Sequence, residues 1–503
     1  MLLRRNVFIP VLLFLLVGGL LYSCDNTGMQ TASVVPDSVS YNFDVRPILS
    51  DKCFSCHGPD ANKREAGLRL DIADSAFKAL QDNPTAHAWV PGKPEESDAF
   101  LRISTQDTSL LMPPLYSNLS LTSQEIAIIK KWIQQGARYE DHWAFVAPRK
   151  QAPPAIKKSA WPINEIDYFT LAAMEAKGLA PNDPADKERL LKRLCLDLTG
   201  LPPGIELMDA FLADSRPDAY ERMVDQLLAL PAYGEKMALH WLDLARYADS
   251  HGYQDDGYRT QWPWRDWVIH AFNENKPYNE FVTWQLAGDL LPDASMEQLL
   301  ATAFNRNHKI TEEGGVIPEE YRVMYVSDRT DLIGKGILGV TMECARCHDH
   351  KYVIGGQATS AKIPMMHITN TDVANMLRFI NKTDTGKMIV SVMGELDTIR
   401  PTFVLHRGEY DAPGEKVEPA TPVSILPFDN SYPKNRLGLA KWLFDPKHPL
   451  TARVYVNLLW QEFFGRGIVK TSGDFGMQGE LPSHPALLDW LAVDFREHNW
   501  DIK

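Results

Sequence analysis

Cysteine and histidine recur at the same short spacing in two places in this sequence. The first is Cys53-Phe54-Ser55-Cys56-His57, and the second is Cys344-Ala345-Arg346-Cys347-His348. Two thiols that lie one helical turn apart can add to the two vinyl groups of a porphyrin, and the adjacent imidazole then becomes an axial ligand of the iron. The spacing therefore predicts covalently attached haem c.

The first of these units is the better candidate for haem. A C-x-x-C pair alone is also typical of a redox dithiol or of half a zinc site, but His57 directly after Cys56 favours haem. Met112 is the candidate sixth ligand, because the Pro-Pro pair that follows it fixes an extended loop. A thioether ligand raises the reduction potential, whereas the ordinary alternative for such a residue is packing in the core.

The second unit allows more interpretations. Haem with His348 as axial ligand is the main one. A compact metal site is another, and its four side chains would be Cys344, Cys347, His348 and His350. A disulfide, or no ligand at all, is the third. The candidate sixth ligands for a haem here are Met365, Met366 and His367, and a five-coordinate iron would permit substrate chemistry.

The N-terminus predicts export and attachment to a membrane. Arg4 and Arg5 precede an apolar run from Val7 to Leu21, which is short for a spanning helix and typical of a signal peptide. The sequence that ends at Cys24 resembles a bacterial lipobox, in which the cysteine is lipidated and becomes the mature N-terminus. A plain N-terminal anchor is the alternative. Both interpretations predict an extracytoplasmic protein, in the periplasm or at the cell surface.

Composition narrows the class of protein. The chain has 503 residues, 45% of them hydrophobic, which is enough for sizeable cores in about three domains. Its net charge of −13 argues against a nucleic-acid partner, since such proteins carry a basic surface. Only six cysteines are present, and four lie in the two units, so a disulfide framework is not expected.

Apolar spacing predicts a mainly α fold. Ile126, Ile129 and Ile133 recur at helical intervals before Gly136, which predicts a helix over residues 123–136. The same pattern predicts helices at 190–199 and 240–250 and an amphipathic helix near the end of the chain. In the second of these, Asp243, Arg246 and Asp249 have a spacing that allows an Asp–Arg contact, and a structural ion pair is the main interpretation. A polar wall of a ligand pocket is the alternative. A further polar set could line a cleft but is expected to be mostly solvated surface and loop contacts, and it comprises Arg453, Asn457, Arg466, Asp474 and His484.

The first 140 residues carry motifs of a known family. Residues 43–140, with Cys53 to Asp60, Gly67 to Asp71 and Met112 to Pro114, resemble the planctomycete-type cytochrome c domain of exported bacterial proteins. Later motifs, such as Trp262-Pro263-Trp264-Arg265 and Asn435-Arg436-Leu437-Gly438, resemble two large domains of unknown function that follow it in such proteins. The resemblance implies haem c and an architecture, and it names no reaction for the later domains.

These patterns predict an order of segments along the chain. They are a lipoprotein signal peptide at 1–24, a tether at 25–42, the cytochrome c domain at 43–145, a Pro-rich linker at 146–162, a domain of unknown function with the second C-x-x-C-H at 163–352, a shortened irregular connection at 353–434, and the start of a second domain of unknown function at 435–503. Because the last segment stops soon after one amphipathic helix, we expect a truncated or partial member.

The leading functional hypothesis is electron transfer by an exported c-type cytochrome with one haem c, and a second haem is an open question. Its partner would be a redox protein whose identity the sequence does not give. An extracytoplasmic haem oxidoreductase or a carbohydrate-degrading enzyme, with its site in the later domains, is the alternative. A surface module that binds a ligand is the third hypothesis.

Overall fold

The computed structural model describes residues 35–342, 365–377, 387–396 and 400–503. Helices make up 48% of it, and its sheets are two antiparallel pairs of strands, so the predicted mainly α fold is confirmed. The chain divides into two compact units, Met1–Asp141 and His142–Lys503. Among the described helices, none has both the length and the apolar character that crossing a membrane requires.

The first unit is an array of short helices. Tyr41–Val45 forms a π-helical turn that leads into the first of them. In chain order the helices are α1 (Arg46–Lys52), α2 (Phe54–His57), α3 (Ala73–Ala76), α4 (Asp98–Ser104) and α5 (Ser123–Gln134). They surround a core in which Trp89 and Trp132 meet edge to face with ring centroids 5.6 Å apart. Both indoles are 2% exposed, so this aromatic pair lies at the centre of the unit.

The last helix of this unit, α5, confirms the helix predicted at 123–136. Thr122 and Glu125 form a capping box at its start, which satisfies two backbone N–H groups that have no helical partner. Ile129 and Ile133 face the core and are fully buried, as their spacing predicts. Gly136 follows with φ 102, a conformation that glycine adopts without the steric cost of a side chain.

The second unit is a larger helical body. Its helices up to residue 333 are α6 (Glu165–Ala176), α7 (Lys187–Thr199), α8 (Ile205–Ala213), α9 (Ala219–Leu228), α10 (Pro231–Ala245), α11 (Trp262–Asn273), α12 (Tyr278–Ala287), α13 (Met296–Ala301) and α14 (Pro318–Ile333). Those that follow are α15 (Asn370–Leu377), α16 (Arg436–Leu443), α17 (Thr451–Phe464) and α18 (Pro485–Glu497).

Two hairpin-like pairs of strands complete the second unit. β1 (Met365–Thr369) pairs antiparallel with β2 (Lys387–Ser391). β3 (Thr402–Leu405) pairs antiparallel with β4 (Pro413–Val417), and the register shifts between Phe403 and Leu405. Two-stranded pairs have little stability of their own, so the helices supply the framework of the unit.

The helix predicted at 240–250 is shorter than expected, and its expected ion pair is absent. α10 ends at Ala245 because Arg246 takes a left-handed conformation with φ 56. Arg246 then pairs with Asp328 at 2.8 Å. Asp249 Oδ1 instead accepts hydrogen bonds at the start of α11, from Gln261 N at 2.7 Å and from Trp262 N at 2.8 Å. The predicted contact among Asp243, Arg246 and Asp249 was therefore wrong.

Two of the five polar residues expected at the surface are buried. Arg453 is 2% exposed, and its guanidinium pairs with Asp489 at 2.7 Å and donates to the carbonyl of Val146 at 2.6 Å. Asn457 is fully buried, and its side chain exchanges two hydrogen bonds with the backbone of Val469. The expectation of solvated surface was wrong for these two, because each satisfies backbone groups of a neighbouring loop.

The other three residues of that set are not in the core. Arg466 is exposed, and Asp474 and His484 are partly exposed. Asp474 Oδ1 accepts from the backbone N–H of Gly476 at 2.8 Å, which holds a local turn. None of the three has contacts that indicate catalysis.

Helices from both ends of the second unit share one core. Tyr278, at the start of α12, is fully buried and stacks on Tyr455 of α17 with centroids 3.8 Å apart. The backbone N–H of Tyr278 donates to Trp500 O at 3.0 Å. Arg436 of α16 pairs with Asp289 at 2.6 Å. Residues 278–289 and 436–500 are thus packed together.

Candidate functional site

The first C-x-x-C-H unit lies on the helical turn that continues α1. Cys53 N donates to Leu49 O at 2.8 Å, and His57 N donates to Cys53 O at 2.8 Å. Cys56 N also donates to Cys53 O, at 3.1 Å. The two cysteines therefore stand one turn apart with His57 directly after the second, which is the arrangement predicted from the spacing.

Gly58 ends this turn at a point where no side chain fits. An added Cβ would lie 2.2 Å from Phe54 O, far inside van der Waals contact. Arg64 holds the loop that follows, because its Nε donates to Gly58 O at 3.1 Å and its Nη2 to Pro59 O at 2.9 Å. The chain therefore leaves His57 in one fixed direction.

Residues 65–70, which follow this loop, form backbone hydrogen bonds with the first C-x-x-C-H motif. Glu65 N donates to Cys56 O at 2.9 Å, and Leu70 N donates to His57 O at 2.8 Å. Tyr139 then donates its hydroxyl hydrogen to Leu70 O at 2.9 Å and accepts from Trp89 Nε1 at 3.0 Å. The backbone of His57 is in this way connected to the aromatic core.

The pKa values of two side chains of the first C-x-x-C-H motif are shifted. Cys53 and Cys56 are both free thiols, and burial, followed by the nearby Cys56, raises the pKa of Cys53 to about 12. Burial lowers the pKa of His57, the backbone of Glu65 opposes that effect, and the charge of Arg102 adds to it. His57 Nδ1 is buried without a hydrogen-bond partner. A neutral imidazole is the form in which histidine binds a metal.

Met112 lies in the same compact unit as the first C-x-x-C-H motif, and Arg102 connects it with the surroundings of His57. Met112 N donates to Arg102 O at 3.1 Å, and its side chain is partly buried against the hydrophobic core. The guanidinium of Arg102 pairs with Asp98 at 2.6 Å and influences His57 electrostatically. Arg102 therefore connects the loop of Met112 with the surroundings of His57.

Several residues predicted from the sequence lie outside those that the structure describes. These are Cys24, Cys344, Cys347, His348 and His350. Three residues are candidate sixth ligands for a haem at the second C-x-x-C-H motif. Met365 is 53% exposed and His367 is exposed, whereas Met366 is 6% exposed. Within the described ranges, no three His, Cys, Asp or Glu side chains converge in a way that could hold a metal ion.

Sequence reasoning did not single out three residues that position this site. Gly58 forms part of the quoted motif, but its role depends on a clash with Phe54 O that only the structure shows. Arg64 and Tyr139 act through backbone carbonyls that are close in space. The conjunction of Gly with the preceding C-x-x-C-H was the only signal available in the sequence.

A turn with two thiols followed by a half-buried imidazole, in a small helical unit, is the arrangement typical of a c-type cytochrome domain. Residues 53–115 match the family described as Planctomycete cytochrome C. Residues 165–355 match a protein of unknown function (DUF1549), and residues 435–503 match a second one (DUF1553). The chain thus carries matches to a planctomycete cytochrome c domain and to these two domains, in the order that the sequence predicts. Neither the curated proteins nor the solved structures compared with the chain gave a match.

A cytochrome c domain implies haem c as cofactor, and the residues of the first unit fit that group. Both thiols are free, so both are available for attachment. The lowered pKa of His57 favours the neutral imidazole, which is the form that binds a metal.

Proposed function

We propose that the chain is an exported c-type cytochrome that transfers electrons between a partner protein and haem c held in its first unit. The observation that carries this proposal is the position of Cys53, Cys56 and His57 on one helical turn. Backbone hydrogen bonds from Glu65 and Leu70 hold this turn in place. Bound haem c supplies a centre that gains and loses one electron. The number of haems per chain is part of the proposal.

Each residue of the first unit has a role in this function. Cys53 and Cys56 would tether the porphyrin through thioether bonds, and His57 would bind the iron. Met112 would be the second protein ligand, since it is partly buried and its loop is joined to Arg102. Two protein ligands that are held in place would keep the reorganisation on electron transfer small, which suits a carrier better than an open coordination position.

Haem content tests the proposal directly. The full chain is expressed with a c-type maturation system, and the pyridine haemochrome assay gives haem per chain. We expect the double variant Cys53→Ala, Cys56→Ala to lose one haem, and Cys344→Ala, Cys347→Ala to lose a second if that unit also carries one. Cys195→Ala is the control, because this buried free cysteine lies outside both units. A wild-type chain without haem would refute the proposal.

The role of Met112 has a separate test. Met112→Ala is expected to remove the long-wavelength absorption band of oxidised haem c that is characteristic of a methionine ligand, and to lower the reduction potential. Met296→Ala is the matched control, because Met296 lies in the compact unit His142–Lys503 and is 46% exposed. It should change neither the absorption band nor the reduction potential. If carbon monoxide binds the reduced wild-type protein at the haem of the first C-x-x-C-H motif, the iron has an open coordination position. That result would contradict the role of Met112 and support the haem-oxidoreductase alternative.

We also infer that a lipid at Cys24 attaches the protein to a membrane outside the cytoplasm. The support is the sequence alone, in which the apolar run ends at a lipobox-like Cys24. Cys24→Ser should release the protein from the membrane fraction, and Cys195→Ser should not. An unchanged distribution of the Cys24 variant would instead indicate an uncleaved N-terminal anchor.

A further inference from the structure

The second unit contains a cavity between the end of α10, the segment 307–311 and α14. Its volume is about 430 Å³, which is within the range of pockets that hold small organic molecules. Tyr253, Tyr321 and Tyr325 contribute aromatic walls. The hydroxyl oxygens of Tyr253 and Tyr321 are 3.2 Å apart. The cavity is far larger than an inorganic ion needs.

His308 lines this cavity and has an unused hydrogen-bond acceptor. The residue is 3% exposed, and its ring stacks on Tyr325 with centroids 4.6 Å apart. Nδ1 lies 2.8 Å from Lys309 O, and because a carbonyl oxygen only accepts, Nδ1 carries the proton. Nε2 therefore has a free lone pair, and it is buried without a partner. A ligand hydroxyl that donates to Nε2 would satisfy it.

Three arginines act electrostatically on His308. Burial lowers the pKa of His308 first, and the charges of Arg329, Arg306 and Arg259 lower it further. Arg306 is 7% exposed and its Nε has no partner, while Arg329 is 6% exposed and its Nη2 has none. Neither forms an ion pair with a carboxylate in the described part of the chain. Buried cations of this kind are costly without an anion.

The wall of the cavity has an excess of positive charge. Arg246, Arg259 and Lys309 line it, against the single carboxylate of Asp328. Arg246 pairs with Asp328 at 2.8 Å, so this carboxylate is already neutralised by a partner. Arg259 donates to the carbonyls of the segment 306–308, which fixes its guanidinium in place. The electrostatics therefore favour an anionic ligand.

We propose that this cavity binds a hydroxylated organic carboxylate, the chemical class of sugar acids and uronic sugars. The positive charges of Arg259 and Lys309 on the wall attract the carboxylate, and His308 Nε2 accepts a hydrogen bond from a hydroxyl group. The tyrosine walls enclose the carbon skeleton. This binding function is separate from electron transfer and uses no residue of the cytochrome domain.

Calorimetric titration of the full chain tests the proposal. The probes are D-glucuronate and D-gluconate, with D-glucose as the uncharged match and sulfate as an anion without a carbon skeleton. At least one of the two carboxylates is expected to bind, and both reference compounds at least about tenfold more weakly, the effect of one lost charge-assisted hydrogen bond. If neither carboxylate binds, or if D-glucose or sulfate binds as tightly, the proposal is wrong.

Variants locate the binding in this cavity. His308→Phe keeps the ring that stacks on Tyr325 and removes the lone pair, so affinity should fall about tenfold. Lys309→Ala changes an exposed residue of the wall, so it tests the charge without risk to the core. His498→Phe, whose side chain is 69% exposed, is the control and should bind as wild type does. Wild-type affinity in both cavity variants would overturn the assignment.

Discussion

Tyr139→Phe should loosen the segment that holds His57 in place. Its hydroxyl group donates to Leu70 O at 2.9 Å and accepts from Trp89 Nε1 at 3.0 Å. Its removal deletes two hydrogen bonds and leaves both partners unsatisfied in a buried place. At about 1 kcal/mol for each bond, the local free energy of opening should fall by about 2 kcal/mol. That difference corresponds to roughly thirtyfold faster exchange, since about 1.4 kcal/mol is tenfold.

Hydrogen exchange followed by mass spectrometry measures this effect in peptides that contain Leu70. The amide of Leu70 donates to His57 O at 2.8 Å, so its exchange reports on the connection to the C-x-x-C-H unit. Tyr116→Phe is the matched control, because it deletes the same atom from a tyrosine that is 81% exposed. If the two variants exchange at the same rate in these peptides, Tyr139 does not hold the segment.

Three further predictions concern stability. Gly58→Ala places a Cβ 2.2 Å from Phe54 O, so the free energy of unfolding of the compact unit Met1–Asp141, measured in urea, should fall by about 1–3 kcal/mol for a contact of this kind. Arg453→Met leaves Asp489 without its buried partner, and the second unit should lose about 3–5 kcal/mol in thermal or urea unfolding. Burial lowers the pKa of His448 to about 3, so between pH 7 and pH 5 the unfolded chain binds a proton that the folded chain excludes. The free energy of unfolding should therefore fall by about 2 kcal/mol from pH 7 to pH 5. His448→Asn should remove this contribution to the pH dependence.

Each of these changes has a control in the same chain. Gly314→Ala adds a Cβ where nothing lies within 4 Å, and Arg466→Met removes an exposed guanidinium. His498→Asn replaces a histidine whose side chain is 69% exposed, so it should leave the pH dependence unchanged. A control that lowers stability as much as its partner variant would refute the corresponding explanation.

Local signals were sufficient for some helices. α5 follows from the spacing of Ile129 and Ile133 and from the stop at Gly136, because both features act within one helix. α7 ends at Thr199 before Gly200 with φ 70 for the same reason. The order of thiols and imidazole at the first unit is also local, since one helical turn fixes it.

Contacts between distant segments were beyond the reach of sequence spacing. Arg453 is polar and yet 2% exposed, because its partners Asp489 and Val146 come from other parts of the chain. Arg246 breaks its helix and pairs with Asp328, which is 82 residues away. The surroundings of His308 depend in the same way on arginines from three separate elements, and no motif in the sequence announces them.

The stacking of Tyr278 on Tyr455 has a consequence for how these proteins can evolve. Tyr278 lies in the stretch that matches one family, and Tyr455, Phe495 and Trp500 lie in the stretch that matches another. A recombination event that exchanged one stretch for that of a distant relative would separate aromatic surfaces that fit each other. The two stretches should therefore be inherited together, and compensating substitutions should occur on both sides of the Tyr278 contact.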